Sequence, residues 1–197
     1  LSVFDDDSAS LFSEILYYWL SLGPDWDDAV VATLKYTRQG DVFCGDRLLD
    51  ACRWLEDIPG SDALHLLSKD EFSELISPAL DTFADGETKS RAKSALEKLR
   101  YENHRQRVRR LVSEIAISGL DEDQLVSRVV SGLRRRGKYA HGHASEETQQ
   151  SFEELVTYTL SIELLCFALM FKPYFGRFGK FIGCHPAWQY FNLKDDV

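Results

Sequence analysis

Hydrophobic side chains recur along most of the chain at the three- and four-residue spacing of an α-helix that buries one face. The first such face lies near the N-terminus and consists of Leu11, Phe12, Ile15, Leu16, Trp19 and Leu20. The period-two alternation of strands is nearly absent. The pattern therefore predicts an all-α bundle of six to eight helices, folded as a single domain over residues 1–197.

Proline and glycine positions delimit the next two predicted helices. Pro24 suits the first turn of a helix, and Gly40 suits the position just after its last turn. A third helix is predicted over 41–57, because Pro59 and Gly60 end it. These boundaries predict two helices of ordinary length joined by a short connection.

The middle of the chain contains a capping box, Ser68-Lys69-Asp70-Glu71. A helix should begin there and carry Phe72, Leu75 and Ile76 inward. The spacing of apolar positions over 88–118 predicts one long helix or two consecutive helices. Their expected buried positions are Leu96, Leu99, Leu111, Val112 and Ile115.

Two further helices are predicted in the C-terminal half. Asp121 is the N-cap of the first, which ends at Arg136 with Gly137 as its C-terminal glycine. Ser145 caps the second, which runs to about Phe171. Its inward positions are Phe152, Leu155, Ile162, Leu165, Cys166 and Leu169, with Thr159 on the same stripe, bonded to a backbone carbonyl one turn back.

Charge is distributed unevenly over this helical pattern. The chain of 197 residues has a net charge of −9, which argues against a basic surface that binds nucleic acid everywhere. Residues 91–140, however, hold 13 basic and 6 acidic residues and have a net charge of +7. The basic block leads directly into the segment with the most reactive side chains.

That segment is Arg134-Arg135-Arg136-Gly137-Lys138-Tyr139-Ala140-His141-Gly142-His143. A histidine can move a proton near neutral pH, and an arginine can hold two phosphate oxygens. Glycines at 137 and 142 would let the backbone turn tightly and approach a ligand. The combination suits cleavage of a phosphodiester.

A structural explanation of the same segment stands beside the catalytic one. Arginines in a last helical turn complement the helix dipole, and Gly137 then only ends the helix. His141 becomes a polar residue at a bend. The residue types alone slightly favour this structural explanation.

The segment from Arg136 to Gly142 resembles the R-x4-6-H signature of HEPN domains, commonly written R-N-x-x-x-H-G. The Tyr-Tyr-Trp-Leu within 12–22, Arg47-Leu48-Leu49 and Trp54-Leu55-Glu56 resemble the ApeA-like HEPN subgroup. The resemblance covers residues 10–172. The chain departs from the signature where Gly137 replaces the usual polar residue.

The resemblance implies a metal-independent endoribonuclease that acts on RNA such as tRNA, a toxin or effector of bacterial abortive infection against phages. His141 and Arg136 match the catalytic pair, and Arg135, Lys138 and His143 would contact the substrate. Arg134 and Arg135 also satisfy the looser spacing, so the working arginine stays open. The family usually forms homodimers.

Rival functions are a non-catalytic HEPN module that binds RNA or protein, and a dimerisation domain of a larger protein. Because the chain begins with Leu1, we expect the C-terminal part of a longer, cytoplasmic protein with a further N-terminal domain. No cofactor, metal site or membrane contact is predicted. The cysteines show no zinc spacing and suit reduced, buried thiols.

A second basic run is formed by Arg100, Arg105, Arg107, Arg109 and Arg110. It could track the phosphate backbone of RNA toward the catalytic segment. It could equally be a solvated helix face that pairs with acidic residues of the N-terminal block. Both interpretations stay open from the sequence.

Overall fold

The structure, a computed structural model, describes residues 6–39, 44–83, 86–115, 120–140 and 149–173. These residues are helical apart from short connections and one isolated antiparallel bridge between His65 and Tyr101. Their α-helices are α1 (Asp6–Leu20), α2 (Asp27–Gln39), α3 (Gly45–Asp57), α4 (Lys69–Leu80), α5 (Glu87–Leu96), α6 (His104–Ser113), α7 (Glu122–Ala140) and α8 (Gln149–Met170). Two 3₁₀ turns lie at Pro24–Trp26 and Glu97–Arg100. The predicted all-α bundle of six to eight helices is confirmed.

The core of the bundle forms around α8. This helix packs against α3 and α7, and α7 also packs against α3 and α6. Every side chain from Leu155 to Met170 is buried or half-buried, because the segment is apolar on nearly all sides. Thr159 is buried there and donates its hydroxyl to the Leu155 carbonyl at 2.7 Å, as the sequence predicts.

The predicted helix starts at Ser68 and Asp121 are confirmed. Ser68 Oγ accepts from the Glu71 N–H at 3.2 Å, and Glu71 Oε2 accepts from the Ser68 N–H at 2.8 Å. Asp121 Oδ1 accepts from the Gln124 N–H at 3.0 Å. Gly40 and Ser145 lie outside the described residues. The 88–118 region forms two α-helices with a 3₁₀ turn between them.

A small second core holds α4 and α5 together. Phe72, Ile76 and Leu80 are buried in it at four-residue spacing, and Leu96 is half-buried against them. Leu75 was predicted to point inward but is exposed, because α4 packs on one side only. Leu99, in the 3₁₀ turn Glu97–Arg100, was also predicted to be buried but is exposed. The spacing of residues on one face changes there, because a 3₁₀ helix has three residues per turn.

The predicted buried face of α1 is only partly correct. Ile15 and Trp19 pack half-buried against the main core, whereas Phe12, Leu16 and Leu20 are exposed. The helix thus contacts the bundle along one narrow line of residues four apart. Phe152 on α8 was likewise predicted to be buried and is exposed.

Candidate active site

The candidate catalytic segment, residues 134–143, begins on the last two turns of α7. The helix continues through Gly137 to Ala140, so the prediction that it ends at Arg136 is wrong. Gly137 does not have a positive φ; among the described glycines only Gly60 and Gly86 do. The tight turn expected at Gly137 is therefore absent, and Gly142 lies outside the described residues.

Arg136 lies on the side of α7 that faces α3. Its Nη1 donates to Oε1 of Glu56, near the end of α3. The two side chains are 40% and 42% exposed, so the pair lies at the surface of the bundle. The hydrogen bond with Glu56 raises the pKa of Arg136, which is thus a permanent cation.

Arg135 points instead toward α8. Its Nη1 donates to Glu154 Oε2 at 2.6 Å and its Nη2 donates to the Ser151 carbonyl at 3.1 Å. The guanidinium carbon lies 6.0 Å from the centre of the Tyr158 ring. Burial opposes the charge of Arg135, but hydrogen bonds with Glu154 and Tyr139 outweigh it and raise the pKa. Arg135 therefore fastens α7 to α8.

Arg134, Gly137 and Lys138 are all exposed. They are spaced three and four residues apart on α7, so they share one face of the helix. The basic groups of this face, unlike Arg135, are turned to solvent. His141 and His143 lie outside the described residues.

The end of α7 is also fixed by Tyr139. Its ring lies directly on the backbone of Gly45 at the start of α3, where a Cβ atom would overlap Cδ1 of the ring. The half-buried tyrosine packs against the main core. Sequence reasoning missed this contact, although a glycine in the first turn of a helix is a weak signal for close approach.

Cys52 lies on α3 one helical turn before Glu56. Burial raises the pKa of its thiol to about 12, with the charge of Arg136 acting in the opposite direction. The thiol is therefore protonated at neutral pH and is a poor nucleophile. Its role is to fill the core between α3 and the neighbouring helices.

A buried ion pair, which the sequence did not suggest, joins α3 to α8. Arg47 Nε donates to Glu163 Oε1 at 2.7 Å, and Arg47 Nη2 donates to Glu163 Oε2 at 2.9 Å. Burial raises the pKa of Glu163, and Arg47 acts against this rise. Glu163 also borders a cleft of about 260 Å³ between α2 and α3, where Lys35 and Asp50 pair at 2.6 Å.

The second basic run is held mainly by nearby acceptors. Arg110 contacts Glu102 at 3.1 Å and Glu114 at 3.4 Å. Arg107 donates to the Ser61 carbonyl. Other pairs of the run are Arg109 with Asp123 and Arg100 with Glu97. These contacts favour the structural explanation, although the acidic partners belong to residues 91–140 rather than to the N-terminal block.

Comparison of the sequence with protein-family models, curated proteins and solved structures found no match. The resemblance to HEPN domains therefore stays a hypothesis that rests on the residues quoted above. Within the described ranges no group of three or more His, Cys, Asp or Glu side chains could hold a metal ion. No helix of the described chain is long and apolar enough to cross a bilayer.

The open space at Gly137 leads to a stability prediction. Among the described residues, no atom outside the two chain neighbours and the backbone of the same helix would lie within 4 Å of a Cβ added at Gly137, and the backbone there is helical. Gly137→Ala should raise the free energy of unfolding by about 0.5–1 kcal/mol, because alanine loses less backbone entropy in a helix. Thermal unfolding followed by circular dichroism should show a melting temperature higher by roughly 1–4 °C.

Gly132, on the same helix, is the matched control. A Cβ at Gly132 would lie 2.9 Å from Ile162 Cδ1 and 3.2 Å from Tyr158 Cβ. Gly132→Ala should therefore lower stability despite its gain in helix propensity. A lower melting temperature for Gly137→Ala would contradict the helical, open position of Gly137.

Proposed function

We propose that the protein is a metal-independent endoribonuclease that cleaves RNA such as tRNA. The observation that carries the proposal is the position of Arg136. Its guanidinium is half-exposed on α7, is bound through one nitrogen by one carboxylate, and precedes His141 by five residues. A surface arginine and a nearby histidine in sequence are the two groups that this reaction needs.

In the proposed reaction the 2′-hydroxyl of a ribose attacks the adjacent phosphorus. The bond to the 5′-oxygen breaks, which leaves a cyclic phosphate on one product and a 5′-hydroxyl on the other. His141 either accepts the proton of the attacking 2′-hydroxyl or donates a proton to the leaving 5′-oxygen, and solvent exchanges the other proton. Arg136 stabilises the negative charge that accumulates on the phosphorane-like transition state.

The surface charge limits which RNAs can bind. Arg135, predicted as a substrate contact, is held by Glu154 and Ser151, so we assign its role to Arg134. The exposed cations Arg134 and Lys138 would contact phosphates on either side of the scissile bond, with His143 as a further contact. The acidic remainder of the chain repels RNA elsewhere. The enzyme would therefore select RNA by the shape of a small site.

The biological setting of the proposal rests on the resemblance alone. It consists of a cytoplasmic homodimer in which two Arg136/His141 pairs line one cleft, within a longer effector of anti-phage abortive infection. A two-fold symmetric interface would bring the pairs together.

The test is cleavage of RNA in excess EDTA by purified protein, with His141→Ala as the decisive variant. We expect wild-type cleavage without added metal and a loss of about 10²–10⁴-fold in His141→Ala, because proton transfer is lost. His104→Ala, at the exposed start of α6, is the control and should retain full activity. Dependence on divalent metal, or activity that survives His141→Ala, would refute the mechanism.

A second candidate is a helical assembly domain. It is favoured by the exposed apolar side chains Phe12, Tyr17 and Leu20 on α1, since large apolar groups on a surface are typical of protein contacts. Light scattering combined with the cleavage assay separates the candidates. A stable dimer that cleaves no RNA would favour assembly, and a monomer at micromolar concentration would count against the shared cleft.

A further inference from the structure

The contact between Arg136 and Glu56 uses one nitrogen of the arginine. Among the described residues, its hydrogen bond runs from Nη1 of Arg136 to Oε1 of Glu56. A guanidinium has five N–H donors in a planar fork, and this fork fits phosphate as well as it fits carboxylate. Glu56 therefore orients Arg136 without using all of its donors.

A second arginine, Arg107 on α6, is linked through Ser61 to the backbone of Glu56. Arg107 donates to the carbonyl of Ser61 and, at 3.5 Å, to its hydroxyl, and the Ser61 hydroxyl donates to the Glu56 carbonyl at 3.4 Å. Burial lowers the pKa of Arg107, and the charge of Glu56 is the first influence that opposes this. The negative charge of Glu56 therefore acts on Arg107 of α6 as well as on Arg136 of α7, with which it makes the direct contact.

We propose that Glu56 is the resident counter-ion of a phosphate site, and that an RNA phosphodiester replaces its carboxylate at Arg136. The inference rests on the proposed function, because it takes Arg136 as the phosphate-binding arginine. A carboxylate and a phosphate cannot both contact one guanidinium edge, and their like charges repel each other. The carboxylate therefore competes with RNA and weakens the binding of RNA.

The fold can tolerate this exchange. Both partners are more than a third exposed, and ion pairs of this kind change the folding equilibrium by a factor of about five or less. Leu55 beside Glu56 is fully buried and holds the end of α3 in the core independently of the charge. Removal of the Glu56 charge should therefore leave the protein folded.

The experiment measures RNA binding in the His141→Ala background, in which cleavage is blocked. The probe is a fluorescent single-stranded RNA oligonucleotide followed by anisotropy. Addition of Glu56→Gln should tighten binding about three- to fivefold, because the competing charge is gone. It should also steepen the dependence of log K on log salt by about 0.7, the value for one additional phosphate neutralised on a single strand.

Glu154→Gln is the matched control, because Glu154 pairs with Arg135 at 2.6 Å on the other side of α7. It removes the same charge close to the same segment and should change RNA binding by less than about twofold. Glu56→Gln should also have no such effect when Arg136 is replaced by alanine. The coupling between the two substitutions then measures the exchange directly.

Three results would overturn the inference: equal tightening by Glu154→Gln, tightening that persists without Arg136, and no gain in RNA binding with Glu56→Gln. Failure of the proposed function is a separate observation. If Glu56→Gln tightens RNA binding but the wild-type protein cleaves no RNA, the ribonuclease proposal is refuted and the role of Glu56 as counter-ion is retained. If the wild-type protein cleaves RNA but Glu56→Gln does not tighten RNA binding, the counter-ion inference is refuted and the ribonuclease proposal is retained.

Discussion

Arg47→Ala is expected to lower the free energy of unfolding by about 3–5 kcal/mol, because it leaves the carboxylate of Glu163 without its partner inside the core. The two side chains are 3% and 2% exposed, so solvent screens the charges of the pair little. Both hydrogen bonds of the pair join α3 to α8, the helices with the most extensive packing in the bundle. Urea denaturation of the two proteins measures the difference.

Glu163→Ala should cost about as much, because the Arg47 guanidinium stays charged at any accessible pH. The double variant Arg47→Met/Glu163→Leu tests the physical reason. Two apolar side chains of similar volume need no partner, so the double variant should lie within about 1 kcal/mol of wild type or above it. A double variant as unstable as the two single variants together would show that the charges themselves hold α3 to α8.

The pH dependence of the same variants has a definite sign. The pKa of Glu163 is higher in the folded protein than in the unfolded chain, because burial outweighs the effect of Arg47. The contribution of Glu163 to stability is therefore complete below its unfolded pKa of about 4.3 and is lost as pH rises through the folded value. As pH rises through the folded pKa of Glu163, the stability of the double variant should increase relative to that of wild type. A decrease would contradict a raised pKa of Glu163 in the folded protein.

Local signals in the sequence predict the helices well and their environment less well. The capping box at Ser68 and the apolar stripe of α8 depend on neighbouring residues, which a sequence displays directly. Burial of Phe12 and Leu75 depends on whether a partner helix covers that face, and this information is not local. The errors on α1 and α4 accordingly fall on helices that pack along one narrow side.

The ion pair of Arg47 and Glu163 was missed for a related reason. The two residues are 116 positions apart, and no spacing rule connects them. One signal was present: Glu163 lies inside a helix that is apolar on nearly all sides. A charge in such a position requires a buried partner, because an isolated one would be too costly. The identity of that partner becomes visible only in three dimensions.

The three consecutive arginines of α7 show what the sequence left open at the candidate site. Neighbouring positions on an α-helix point about 100° apart, so Arg134, Arg135 and Arg136 must face different surroundings. The sequence contains this angle but not the identity of the neighbours. The structure places Arg135 against α8, Arg136 against Glu56 on α3, and Arg134 toward solvent.

Arg136→Ala should therefore reduce RNA cleavage by about 10²–10³-fold in kcat, because one positioned charge at the transition state is lost. The melting temperature should change little, since the Glu56 pair is at the surface. Arg135→Ala should lower the melting temperature, because three contacts with α8 are lost together. Arg134→Ala should raise KM and leave kcat nearly unchanged, as expected for a contact with a neighbouring phosphate.

Cleavage rates and thermal unfolding of the three variants separate these roles in one set of measurements. The critical alternative is that Arg134 is the catalytic arginine. Arg134 is exposed on α7, and Lys138 lies four residues on, on the same face of the helix. A large loss of kcat in Arg134→Ala with normal activity in Arg136→Ala would show that Arg134, and not Arg136, is the catalytic arginine. Glu56 would then only fasten Arg136 to α3, and the proposed phosphate exchange would be excluded as well.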